Sequence, residues 1–179
     1  MRETTNYILK QIQEVLSRVD EGTAAQIVES IIAAKKIFVY GVGRSGLVGK
    51  AFAVRLVQMG LNVHFIGDTT TPIVEAEDVV IIVSNTGETM SAVQTANIVR
   101  RVGAKVISIT SNIHSKLAQA SSISVELTVV KDEQCRKSAP LGTLFEDSAF
   151  LLLDSMVPTL MSRLGQTEAS LRRRHAIWV

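Results

Sequence analysis

The chain has 179 residues, enough for one domain with a sizeable core. Of these, 46% are hydrophobic but only 4% aromatic, so the core is built from Val, Ile, Leu and Ala, as suits parallel strands covered by helices. A formal net charge of +2 gives no electrostatic reason for a nucleic-acid or membrane partner, and one cysteine, Cys135, excludes an internal disulfide framework and a cysteine zinc cage.

The first residues contain no continuous apolar stretch, so no signal peptide is expected there. Instead Ile8, Ile12, Val15, Leu16 and Val19 recur at helical spacing, and Gly22 is expected to end that helix. Residues 24–34 form a second helix. KIFVYGV (36–42) reads as a buried strand, and residues 45–59 as a helix stopped by Gly60. LNVHFIG (61–67) is strand two and DVVIIVS (78–84) strand three. Residues 89–102 form a helix ended by Gly103; AKVISITS (104–111) is strand four, HSKLAQAS (114–121) a short helix, and SISVELTVV (122–130) strand five. KDEQCRKSAPLG (131–142) is expected to be a loop. A long helix over 143–164 follows, with a kink at Pro158, then a last helix over 167–175.

Strands alternate with helices, so the fold class is α/β: a doubly wound, five-stranded parallel sheet of flavodoxin-like order with helices on both faces. We expect one domain over 1–179, with N-terminal helices in 1–34 and C-terminal helices in 141–179. No apolar run reaches the roughly 18 residues of a membrane span, so a cytoplasmic protein is expected. Ligands on such sheets sit beyond the carboxyl ends of the strands at the switch in strand order, here between strands one and three. The loops after those strands are GVGRSG (41–46) and SNTGET (84–89).

GVGRSG matches the dinucleotide fingerprint by letter, and Asp68 stands near the place of its acidic partner, so a nicotinamide oxidoreductase is one reading. SNTGET argues against it. Ser84, Thr86 and Thr89 can each donate to a phosphate oxygen, as can the amides from Gly87 onward, while Ser45 opens the facing helix. The plainer reading is that Ser45 and Thr89 cap their helices. Four hydroxyls in two facing loops exceed what caps require.

GVGRSG, VSNTGET and APLGTLFED together resemble the sugar isomerase (SIS) domain, and most of all its 6-phospho-3-hexuloisomerase family, over essentially the whole chain. The resemblance implies an enzyme that isomerises a ketose phosphate, interconverting 3-hexulose 6-phosphate and fructose 6-phosphate through an enediolate in the ribulose monophosphate pathway, without metal or cofactor. The small-molecule partner would be a sugar phosphate, and the assembly a dimer or tetramer. Another sugar-phosphate isomerase, or a sugar-phosphate-binding regulator of the same fold, is the alternative. By resemblance, Ser45 and the loop of Ser84, Asn85, Thr86, Gly87, Glu88 and Thr89 hold the phosphate, Gly43 and Arg44 lie beside the substrate, Glu146 is the base, and His175, in RHA, serves a neighbouring subunit's site. The chain departs from the family's usual ending in its Ile-Trp-Val tail.

Each carries a plainer reading. Thr143 and Glu146 fit a capping box. Glu88 fits a charge at a helix start, Lys50 a solvated helix residue, and His175 a surface histidine. Arg44 and Lys50 are candidates for steering the phosphate. His64, His114 and His175 lack metal-ligand spacing. The apolar face of the first helix suggests an interface.

Overall fold

A computed structural model describes residues 1–176. Its elements alternate as expected: α1 (Arg2–Leu16), α2 (Glu21–Ala33), β1 (Ile37–Gly41), α3 (Gly43–Gln58), β2 (Val63–Phe65), β3 (Val79–Val83), α4 (Met90–Val102), β4 (Lys105–Thr110), α5 (Lys116–Gln119), β5 (Ile123–Glu126), α6 (Glu133–Ser138), α7 (Thr143–Arg163) and α8 (Glu168–Arg173). The sheet order is β2-β1-β3-β4-β5, all parallel. The strand order therefore reverses between β1 and β3. Gly41 pairs with Val83, so these two strands end side by side and release their loops at the same level.

Alternation along each strand divides the core. Ile37, Ile81, Val83, Ile107 and Ile109 face α1, α2, α3 and α7, where Phe52, Leu56, Phe145 and Leu153 are buried. Phe38, Val80, Ile82 and Val106 face α4 and α5. Both faces being covered explains why β3 is apolar at every position.

Several boundaries differ from expectation. Gly22 does not end α1; it lies inside α2. The cause is Asp20, whose carboxylate accepts from Thr23 N at 2.6 Å and caps a new helix that starts at Glu21, one residue before the glycine. Likewise Asp132 accepts from Cys135 N at 2.7 Å and turns part of the polar stretch 131–142 into α6. Strands two and five are shorter than their apolar runs, as befits the sheet edges. The helix α7 passes through Pro158. The last helix is Glu168–Arg173, with its start fixed by the Thr167–Ser170 capping box. The apolar face of α1 is spent within the chain: Ile12 and Val15 are buried, and α1 packs on α7 and α6.

Candidate functional site

The register of β1 and β3 places two loops across one crevice. On one side α3 begins immediately after β1, because both Gly41 and Gly46 lack side chains: a Cβ on Gly46 would stand 2.5 Å from the Gly41 carbonyl oxygen. This tight strand-to-helix turn sets Ser45, 8% exposed, in the first turn of α3. Val42 occupies the N-cap position, so Ser45 does not cap the helix.

On the other side Ser84 leaves β3, with its amide donating to Ile109 O at 3.0 Å. Gly87 takes φ +65°, and a Cβ there would lie 2.1 Å from Ser115 Oγ, so the loop is pressed against α5. Thr89 is the N-cap residue of α4, but no side-chain cap bond is made there. Its hydroxyl instead lies 3.5 Å from Ser84 Oγ. Ser45, Ser84, Asn85, Thr86 and Thr89, with Val42, line a crevice of about 110 Å³. It is smaller than the roughly 300–1,000 Å³ of a drug-sized ligand site. Hydroxyls converge there beneath the starts of α3 and α4, where unpaired amides and the helix dipoles favour an anion.

Two residues expected near the phosphate lie elsewhere. Glu88 does not face the crevice: its carboxylate accepts from Lys116 N at 3.0 Å and pairs with Lys116 Nζ at 3.1 Å. The Lys116 amide, and then its ammonium, hold the Glu88 carboxyl below its ordinary value. Lys50 sits 4.3 Å from the centroid of the Phe65 ring and 4.0 Å from Asp68.

Glu146 is buried, 8% exposed, in the first turn of α7. The expected capping box does not form. Gly142 is the N-cap residue, and the Thr143 hydroxyl donates to Pro140 O at 2.8 Å. The Glu146 carboxylate accepts from Arg44 Nε instead. That bond and charge raise the Arg44 guanidinium above its ordinary value and anchor an otherwise exposed side chain. Gly43, at φ +58°, precedes it. Arg44, Leu47, Val48, Glu146, Asp147 and Phe150 line a second hollow of about 210 Å³. Burial pushes the Asp147 carboxyl up; Arg44 opposes the shift and the charge of Glu146 adds to it.

Gly142 lies between Asn85 of the first hollow and Glu146 of the second. A methyl group on its Cα would lie 2.9 Å from Glu146 Oε1 and 3.2 Å from Asn85 Nδ2. Its φ of −96° suits any residue, so what the position demands is space. Sequence reasoning passed over Gly142 although it lies inside PLGTLFE. It also missed Ser111, which follows β4 beside the crevice.

His175 is not brought to this crevice. It is exposed, its Nδ1 lies 2.9 Å from Ala176 O, and it borders a separate hollow with Lys50, Val54, Val57 and Phe65. The Ile-Trp-Val tail, residues 177–179, lies outside the described residues.

A parallel sheet with a hydroxyl-lined crevice at its switch point and a buried carboxylate near it defines an α/β domain whose polar crevice opens beyond the strand ends. The SIS domain model matches residues 30–151, and the chain belongs to that family. It is 36% identical over 149 residues to a 3-hexulose-6-phosphate isomerase of Methanocaldococcus jannaschii, covering 83% of this chain and 80% of the relative. It is 32% identical over 181 residues to a 3-hexulose-6-phosphate isomerase of Bacillus subtilis (strain 168), covering 97% and 98%. The crystal structure of a hypothetical protein from Methanococcus jannaschii, for which a function as 3-hexulose-6-phosphate isomerase was inferred, superposes with a TM-score of 0.85 at 32% identity, covering 98% of this chain and 97% of that one. No described helix is long and apolar enough to cross a membrane.

Proposed function

We propose that this chain interconverts D-arabino-3-hexulose 6-phosphate and D-fructose 6-phosphate through a 2,3-enediolate, a step of the ribulose monophosphate pathway. The observation that carries the reading is the placement of Glu146: a buried carboxylate across Gly142 from Asn85, which itself lines the crevice of Ser45, Ser84, Thr86 and Thr89. The relatives named 3-hexulose-6-phosphate isomerase support the choice of substrate.

In this reading the phosphate rests on the Ser45, Ser84, Thr86 and Thr89 hydroxyls and on loop amides. Glu146 takes the proton from C2 of the 3-ketose and returns it to C3, and the hydroxyl proton passes from O2 to O3. A general base of this kind contributes about 10²–10⁴-fold. Arg44, which pairs with Glu146, turns to the substrate and frees the carboxylate. His175 serves the site of a second copy, and the enzyme is a homo-oligomer. Leu47 and Val54 on α3, and Phe150 and Leu151 on α7, are exposed and offer an apolar surface for that assembly.

The test is to supply 3-hexulose 6-phosphate and couple fructose 6-phosphate formation to a dye reduction, with the wild type and Glu146→Gln in parallel. Turnover by the wild type that falls at least 100-fold in the variant supports the reading; equal rates remove Glu146 from the mechanism.

A further inference from the structure

Asn85 lies two residues beyond β3, and its backbone is clamped to the end of β4. Its carbonyl oxygen accepts from Ser111 N and Ser111 Oγ, both at 2.8 Å, and from Thr110 Oγ1 at 3.1 Å. Ser111 Oγ also lies 2.9 Å from the side-chain oxygen of Asn85, Oδ1, so its single proton is shared between the two Asn85 oxygens. That contact turns the carbonyl end of the amide towards β4 and sends its NH₂ end towards Gly142 and Glu146. The opposite orientation would set the amide oxygen towards the Glu146 carboxylate, an unfavourable pairing of two acceptors. Gly142 leaves open the gap between the Asn85 NH₂ and the carboxylate, since a methyl group there would crowd both.

From this geometry we infer that Asn85 is a catalytic residue whose Nδ2–H donates to the substrate oxygen that gains charge as Glu146 takes the proton, and that Ser111 is the positioning residue that aims it. The inference rests on the isomerase reading and deepens it. An enediolate needs such a donor fixed before the reaction begins, so that no reorganisation is required as charge develops. Asn85 is half-buried and tied at both its backbone and its side-chain oxygen, which satisfies that requirement. The position also divides labour in the loop: hydroxyls for the phosphate, the amide side chain for the reacting end.

The experiment compares wild type, Asn85→Ala, Ser111→Ala, Ser111→Thr and the double variant Asn85→Ala/Ser111→Ala. Three quantities are measured: turnover of 3-hexulose 6-phosphate, the Kd of 4-phosphoerythronate, and the Kd of inorganic phosphate. The carboxylate of 4-phosphoerythronate stands in for the planar enediolate; phosphate probes the hydroxyl end alone. Thermal melting identifies any variant that fails to fold. Asn85→Ala is expected to lower kcat by about 10²-fold, the loss typical of one oxyanion donor, and to weaken 4-phosphoerythronate to a similar degree while phosphate affinity stays within twofold. Ser111→Ala should lose roughly tenfold in the same two quantities, Ser111→Thr should recover most of it, and the double variant should be no worse than Asn85→Ala, as expected for one residue acting through another. If Asn85→Ala weakens phosphate as much as 4-phosphoerythronate, the side chain is a phosphate ligand and the inference is wrong. Additive losses in the double variant would overturn the positioning role of Ser111. Should the wild type bind 4-phosphoerythronate in an Asn85-dependent way without turning over the hexulose, the donor stands and the isomerase reading fails. If Asn85→Ala leaves 4-phosphoerythronate binding unchanged, the donor fails whatever the turnover.

Discussion

Four residues test the proposed separation of binding from chemistry. Ser84 and Thr89 stand at 3.5 Å from each other across the crevice, with no cap bond at Thr89 to divert its hydroxyl. A hydrogen bond to a charged oxygen is worth roughly 1.5–3 kcal/mol. Ser84→Ala/Thr89→Ala should therefore raise KM by at least tenfold and weaken competition by inorganic phosphate, with kcat much less affected; an unchanged KM would move the phosphate out of this loop. Glu146→Gln keeps the shape and the Arg44 hydrogen bond but cannot take a proton. Its melting temperature should stay near wild type, because no cap is lost, while kcat falls by about 10²–10⁴-fold. Gly142→Ala tests the space between the halves of the site. Its backbone angle tolerates alanine, so the fold should survive, but the added methyl group meets Glu146 Oε1 at 2.9 Å and Asn85 Nδ2 at 3.2 Å. Activity should drop at least tenfold without a matching loss of stability.

Among the elements, α5 braces the SNTGET loop. Leu117 N donates to Gly87 O at 3.0 Å, Lys116 N to Glu88 Oε1, and the Lys116 ammonium pairs with the same carboxylate. Since the folded pKa of Glu88 is depressed, its contribution to stability is complete above the unfolded value, about 4.3, and is lost as pH falls through the lower folded value. Glu88→Gln should thus melt below wild type at neutral pH, with the gap closing as the pH is lowered beneath about 4.3. KM should rise a few-fold as the loop loosens. A gap that does not depend on pH would show that the Glu88 charge does not hold the brace. The element scale is also where sequence and structure part. Strands one and three were legible because both faces are apolar, strand four because Val106, Ile107 and Ile109 form a β-branched run, and the two site loops because glycines and hydroxyls follow the first two runs. Helix starts at Glu21 and Glu133 were not, since an Asp accepting from an amide three residues on outweighs a nearby Gly or a polar composition. The role of Glu146 looked like a cap by local spacing. Only the docking of α7 against α3 brings Arg44, far away in sequence, to take that carboxylate. Asn85 against Gly142, and Ser111 against Asn85, are tertiary meetings of the same kind, with no periodicity to announce them.

For the molecule as a whole, the order β2-β1-β3-β4-β5 does the assembling: it sets two helix starts side by side and brings the start of α7 to the same end of the sheet. His175 lies outside that arrangement, against Lys50 and Phe65. If it serves a second copy, Glu146→Gln and His175→Ala chains, each impaired alone, should regain activity when mixed and allowed to exchange subunits; full activity of His175→Ala alone would remove it from catalysis. Sedimentation of the wild type should give a dimer or larger, and replacing Leu47 and Phe150 by charged residues should shift it towards monomer. The central claim is the reaction itself. Its most direct measurement is the rate at which purified protein converts 3-hexulose 6-phosphate to fructose 6-phosphate. A kcat of about 1–10³ s⁻¹, ordinary for an enzyme on its own substrate, that is lost in Glu146→Gln is the predicted result. No conversion by folded protein that binds phosphate in its Ser84–Thr89 loop would contradict it.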